Sequence, residues 1–225
     1  SIIVFAFLAL LSVTVFAPTN AQFSITCDPI QVSDDWAMYR HDLQSSGYTS
    51  SLAPNGSLLW KFFTGDASVS SPANRLRATP TIVNHAIYFG SNGIYFYALN
   101  ATSGNLLWQV NVGTNIESST AVVDNVVYVG LLWDGIHGYV IALNATTGSI
   151  IWRFATNSGI ESSPAVANGL VYVGSFYGYI YALNSSTGEL KWSYLTGGST
   201  FSSPAIYNGV VYIGSVDGKV YALNS

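Results

Sequence analysis

The chain repeats one residue pattern four times, and this repetition restricts its fold more than any other property. The clearest copy runs Ser162-Ser163-Pro164-Ala165-Val166, then Gly169-Leu170-Val171-Tyr172-Val173-Gly174-Ser175, Tyr181-Ala182-Leu183-Asn184, Thr187-Gly188 and Trp192. Tyr97-Ala98-Leu99-Asn100, Ile141-Ala142-Leu143-Asn144 and Tyr221-Ala222-Leu223-Asn224 carry the same anchor. Trp60, Trp108, Trp152 and Trp192 recur at spacings of 48, 44 and 40 residues. Periods of this length belong to radial β architectures. Pro80 to Trp108 and Pro164 to Trp192 both span 28 residues, so the extra residues lie elsewhere, in the polar stretch 66–77 and between Gly130 and Ile141. Insertions placed in this way lengthen loops, where added chain costs little and binding surfaces are usually built.

Each repeat divides into four short runs, 163–167, 170–175, 179–183 and 189–195 in the copy above. Asn168-Gly169 joins the first two, and Asn-Gly between β-branched runs predicts a type I′ hairpin. Asn125 and Asn208-Gly209 hold the matching place in other copies. The unit is a four-stranded antiparallel meander, too small to cover its own two faces. Stacked radially against like sheets it covers both, so the fold class is all-β, a β-propeller of four-stranded blades. The tryptophan is expected to lie flat between adjacent blades near the Thr-Gly turn, a structural role burying on the order of 200 Å².

The pattern Ala-Leu-Asn-x-x-Thr-Gly-x-x-x-Trp, preceded by Ser-Pro-Ala-Val and Val-Tyr-Val-Gly-Ser, resembles the tryptophan-docking repeat of the pyrroloquinoline quinone (PQQ)-like β-propellers. That family includes quinoprotein alcohol dehydrogenases and BamB-type envelope scaffolds. The likeness spans residues 56–224, and the run from Asp35-Trp36-Ala37 to Gly47 resembles the leader before blade one in secreted members. Asn100, Asn144, Asn184 and Asn224 replace the Asp usual in the family. The resemblance implies a ring of seven or eight blades. The repeats count as a lone outer strand at 57–63, three full blades and a last blade lacking its outer strand. Either the outer strand at Trp60 completes the blade of Tyr221 and closes a four-bladed ring, or further blades lie beyond Ser225; the second is expected.

Residues 1–21 read as an N-terminally truncated signal peptide, with an apolar run at 2–16 followed by Ala17-Pro18-Thr19-Asn20-Ala21. At about 15 residues the run is shorter than the roughly 20 needed to span a bilayer. Cleavage after Ala21, or after Ala17, leaves a leader at 22–55 and the repeats at 56–225; the alternative is a retained anchor. No membrane span is expected once the signal is removed. The protein is thus expected to be secreted or held in the cell envelope. Its single cysteine, Cys27, excludes an intrachain disulfide. Only 8% of residues are charged, the net charge is −4 and mean hydropathy is +0.35, so there is no basic stripe for nucleic acid.

Quinone enzymes of the family use a vicinal Cys-Cys pair, a Trp, a Glu and Asn on Ca²⁺ and an Asp base. Neither the Cys pair nor calcium-loop spacing of acids occurs here, and His41, His85 and His137 share no metal-ligand spacing. No catalytic residue, cofactor or metal site is therefore expected. One constellation survives superposition of the repeats: Arg77, Glu117, Glu161 and Phe201 occupy the same place and should meet near one mouth of the central channel, as ligand contacts or as a solvated charge ring. Asn55, Asn100, Asn144 and Asn184 each begin an Asn-x-Ser/Thr sequon, readable as glycosylation sites or as turn-capping asparagines. Trp133, His137, Phe176 and Tyr177 lie in hairpins, where they either stack on sugar or pack on the next blade. The sequence favours a non-catalytic scaffold that binds a protein partner or surface glycan. The rivals are part of a PQQ-dependent quinoprotein dehydrogenase and a carbohydrate-binding or adhesion module.

Overall fold

The computed structural model describes residues 56–65 and 76–225, which belong to the unit Ser33–Ser225. The expected signal peptide, Cys27, the leader and Asn55 lie outside the described residues. The first sheet comprises β1 (Thr81–Val83), β2 (Ala86–Gly90), β3 (Tyr95–Asn100) and β4 (Leu106–Asn111). The second comprises β5 (Ala121–Val123), β6 (Val126–Leu131), β7 (Gly138–Asn144) and β8 (Ile150–Thr156). The third comprises β9 (Ala165–Ala167), β10 (Leu170–Gly174), β11 (Tyr179–Asn184) and β12 (Leu190–Leu195). The fourth has three strands, β13 (Ala205–Tyr207), β14 (Val210–Gly214) and β15 (Val220–Asn224). Every sheet is an antiparallel meander in chain order, and together they form a partial β-propeller.

The first hairpin of each blade follows the expected chemistry. Asn168 and Gly169 sit at φ of 52° and 74°, and Asn208 and Gly209 at 48° and 73°, the left-handed pair that a type I′ turn requires. Asn84-His85 and Asp124-Asn125 adopt the same conformation without glycine. The inner strands are three residues long, shorter than the run 163–167 suggests, and the residues just before them, Thr79, Ser119, Ser163 and Ser203, bond to a neighbouring blade instead.

The core lies between sheets rather than within one. Phe96 and Tyr88 of the first sheet pack with Val127, Val129, Ile141 and Leu143 of the second. Val140, Ala142 and Trp152 of the second meet Val171, Val173 and Leu183 of the third, and the third meets Ile206 and Val211 of the fourth. Glycine at the end of the second strand admits the next interblade loop: a Cβ on Gly130 would collide with the Ile160 side chain. Serine hydroxyls set the register. Thr79 N–H donates to Ser119 Oγ at 2.9 Å, Ser119 N–H to Ser163 Oγ at 3.1 Å and Ser163 N–H to Ser203 Oγ at 3.0 Å, each bond joining one blade to the next.

Three of the recurrent tryptophans reach a neighbouring blade at the turn after its third strand. Trp60, Trp108 and Trp152 donate their Nε1–H to the carbonyls of Ala101, Ala145 and Ser185 at 3.0, 2.9 and 2.8 Å. The hydroxyls of Tyr88 and Tyr128 donate to the same Ala145 and Ser185 carbonyls, so each of these oxygens accepts twice. The outer strand expected at 57–63 is not formed. Trp60 occupies its place against Gly104, but the segment pairs with no strand among the described residues, and β15 pairs only with β14. Among the described residues, the four-bladed closure is therefore not formed. A strand needs a neighbour as well as an apolar pattern, whereas a docked indole needs only the turn beneath it. No helix of the described residues is long and apolar enough to cross a membrane.

Candidate functional site

The serine register positions the predicted constellation. Arg77, Glu117, Glu161 and Phe201 stand two residues before Thr79, Ser119, Ser163 and Ser203, so they project from successive blades at one level. Arg77 Nη1 contacts both oxygens of Glu117 at 2.9 Å, and Asn92 Nδ2 donates to Glu117 Oε1 at 3.3 Å. Glu161 forms neither a hydrogen bond nor an ion pair among the described residues. Burial pushes its carboxyl up, the neighbouring Glu117 pushes it further and Arg77 partly opposes both. The first three members therefore share one electrostatic field. Phe201 joins them indirectly, through an edge-on contact with Phe176 at 5.5 Å.

Glu161 also faces a pocket of about 330 Å³ lined by Leu132, Trp133, Ser158, Gly159, Phe176 and Tyr177. The inserted loop after β6 supplies Leu132 and Trp133, and the hairpin between β10 and β11 supplies Phe176 and Tyr177. The β8–β9 connection runs between them. Ile160 N–H donates to the Leu131 carbonyl, Phe176 N–H to the Gly159 carbonyl at 3.0 Å, and Tyr177 N–H to Ser158 Oγ at 2.9 Å. A Cβ at Gly138 would collide with the Ser158 carbonyl, so the glycine ending the inserted loop lets that connection pass close by. Trp133, Phe176 and Tyr177 remain 54%, 46% and 56% exposed, so packing on the next blade, which for Phe176 includes the Phe201 ring, leaves about half of each side chain free.

Of the hairpin aromatics singled out in the sequence, three line this pocket and one does not. His137 lies beside Tyr139, in a loop closed by Asp134. Sequence reasoning misses Ser158 and Gly159, because the run that recurs, Ile-Glu-Ser-Ser at 116–119 and 160–163, begins after them, and their counterparts Thr114 and Asn115 differ in kind. The three sequon asparagines among the described residues are half-buried turn caps. Asn100 Oδ1 accepts from Thr102 and Ser103 N–H, Asn144 Oδ1 from Thr146 and Thr147, and Asn184 Oδ1 from Ser186 and Thr187, all at 2.9–3.0 Å. Asparagine thus provides the same acceptor as the aspartate usual in such turns. No group of three or more potential metal ligands occurs among the described residues.

No curated protein sequence matches the chain. Among solved structures, quinohemoprotein alcohol dehydrogenase from Comamonas testosteroni is similar at 21% identity and a TM-score of 0.67, over 84% of this chain and 39% of that one. Quinohemoprotein alcohol dehydrogenase ADHIIG from Pseudomonas putida HK5 is similar at 20% identity and a TM-score of 0.66, over 84% of this chain and 38% of that one. The computationally designed Ika4 protein is similar at 19% identity and a TM-score of 0.60, over 72% of this chain and 99% of that one. At these identities the likeness is one of fold, and the chain spans about two fifths of the length of either dehydrogenase. The family model described as outer membrane protein assembly factor BamB matches residues 91–225. With the recurrent blades and their bridging tryptophans, that match over more than half of its length means that the chain belongs to the BamB-type family of PQQ-like β-propellers.

Proposed function

We propose that the chain is an exported, non-catalytic propeller that binds an exposed segment of a partner protein and serves as an assembly scaffold at the cell surface or envelope. The observation that carries this reading is the convergence of three half-exposed aromatic rings from two successive blades on one pocket. Aromatic side chains left in this condition add little to the fold and are enriched where proteins grip one another. The family description, an assembly factor, and the signal-like residues 1–21 support the placement outside the cytoplasm.

The residues present do not fit a quinone cofactor. A planar quinone carrying carboxylates needs cationic contacts, stacked ring faces and a divalent ion at its reactive carbonyl. The pocket offers aromatic faces, but its one charged side chain is a carboxylate, and the nearby Arg77 is engaged by Glu117. Panning a displayed random-peptide library on the immobilised chain tests the binding reading. Selected peptides should lose binding to Trp133→Ala and keep it with Tyr207→Ala, a change to an exposed aromatic away from the pocket. If no selected peptide depends on Trp133, the pocket is not the binding site.

A further inference from the structure

The pocket combines an apolar wall with an acidic end. Leu132, Trp133, Phe176 and Tyr177 supply the wall, and Glu161 is the only lining side chain that carries charge at neutral pH. Glu117 nearby has both carboxylate oxygens occupied by Arg77, whereas Glu161 has no ion pair among the described residues. A carboxylate beside low-dielectric walls attracts a cation more strongly than one in open water, because Coulomb energy varies inversely with the dielectric constant. Aromatic faces carry negative potential and add a cation–π attraction. Together they repel anions.

Lysine and arginine match both parts, since each carries a charged end on an aliphatic stem that packs well on apolar surface. A neutral sugar fits less well. It could bond to Glu161 and to the Ser158 hydroxyl, which accepts only the Tyr177 N–H, but it would leave the unpaired carboxylate beside apolar walls without a counter-charge. We propose that the pocket receives a basic side chain, lysine or arginine, from the partner's exposed segment, with the stem against Trp133, Phe176 and Tyr177 and the charged end at Glu161. This rests on the reading of the chain as a protein-binding scaffold and specifies what that scaffold recognises.

The test is fluorine NMR of the whole chain labelled with 5-fluorotryptophan, the Trp133 resonance being assigned with Trp133→Phe. Titrants are the acetylated methylamides of lysine, arginine and norleucine, with methyl glucoside as a sugar probe. The Trp133 resonance should move with the two basic amides at concentrations at least about fivefold lower than with norleucine, the factor that a cation–π and carboxylate contact contributes. Added salt should weaken the response, and Glu161→Gln should remove the preference while the Trp152 resonance stays in place to report an intact fold. If that variant unfolds, the salt titration of the unaltered chain decides. Equal response to norleucine overturns the basic-side-chain proposal and leaves the peptide-binding reading standing. Response to methyl glucoside alone overturns both in favour of a glycan, and silence with all four probes overturns this proposal while library panning judges the broader reading independently.

Discussion

Trp152 shows at the residue scale how one side chain joins two blades. Its ring is buried, sits 6.0 Å from the Tyr128 ring and lies over the Gly188 turn, while Nε1–H donates to the Ser185 carbonyl. Trp152→Ala removes the packing and the bond together and should cost about 3–5 kcal/mol in denaturant melts. Trp133→Ala should change stability by about 0.5 kcal/mol or less, because that ring is already half in solvent. If Trp133 proved the costlier of the two, the division of tryptophans into structural and binding roles would be wrong. Gly188 adds a second measurement. It sits at φ 73°, and a Cβ there would lie 2.7 Å from the Trp152 ring, whereas Gly169 at φ 74° has nothing within 4 Å. Gly169→Ala should cost about 1–2 kcal/mol for its backbone alone. Gly188→Ala should cost that plus about 1–3 kcal/mol of overpacking, and the difference measures how rigidly the indole is held.

Single hydroxyls staple the elements together in ways that periodicity does not reveal. Ser162 Oγ accepts from Gly174 N–H at 2.7 Å and donates to the Gly174 carbonyl at 3.1 Å, both buried, tying the interblade connection to the end of β10. Ser202 makes the same pair of bonds to Gly214 in an exposed setting. Ser162→Ala strands a buried N–H and carbonyl and should cost about 1–3 kcal/mol, with faster hydrogen exchange at Gly174. Water can replace the lost bonds at Gly214, so Ser202→Ala should cost less. The inserted loop after β6 has its own lock. Asp134 accepts from the His137 and Ile136 N–H groups and from the Tyr139 hydroxyl, which hold its carboxyl at about 2. Because the folded value lies below that of an unconstrained Asp, the loop's order is supported at neutral pH and lost as pH falls through about 2. A carboxyl NMR titration of Asp134 with an ordinary midpoint would show that the lock does not form in solution. The blades themselves were legible because their signals are local: the Asn-Gly hairpins and the alternation of apolar residues each act within a few positions. The expected outer strand at 57–63 misled for the opposite reason. Its apolar pattern is real, but a ladder of hydrogen bonds also depends on a partner strand that no local pattern supplies.

At the scale of the whole molecule, stacking identical meanders aligns equivalent residues, and alignment turns four positions in sequence into a cluster in space. Arg77, Glu117 and Glu161 could be brought together on paper because they share one place in the repeat. The pocket could not, since Trp133 comes from an insertion unique to one repeat while Phe176 and Tyr177 come from the hairpin of the next. Only the lateral packing of those blades joins them to Glu161. The resulting charge arrangement leads to the most discriminating expectation, that the chain retains neither PQQ nor Ca²⁺. The guanidinium of Arg77 is held by both oxygens of Glu117, and Glu161 stands nearby without an ion pair among the described residues, so an anionic cofactor entering the pocket meets net repulsion. Equilibrium dialysis against PQQ and Ca²⁺, followed by a dye-linked alcohol oxidation assay, checks this directly. Glu161→Gln should leave the result unchanged, because removing one carboxylate supplies neither a divalent-ion site nor a free cation. Stoichiometric quinone retention with turnover by the unaltered chain would overthrow the scaffold reading, whereas retention appearing only in Glu161→Gln would show that this carboxylate alone separates a binding propeller from a quinone site.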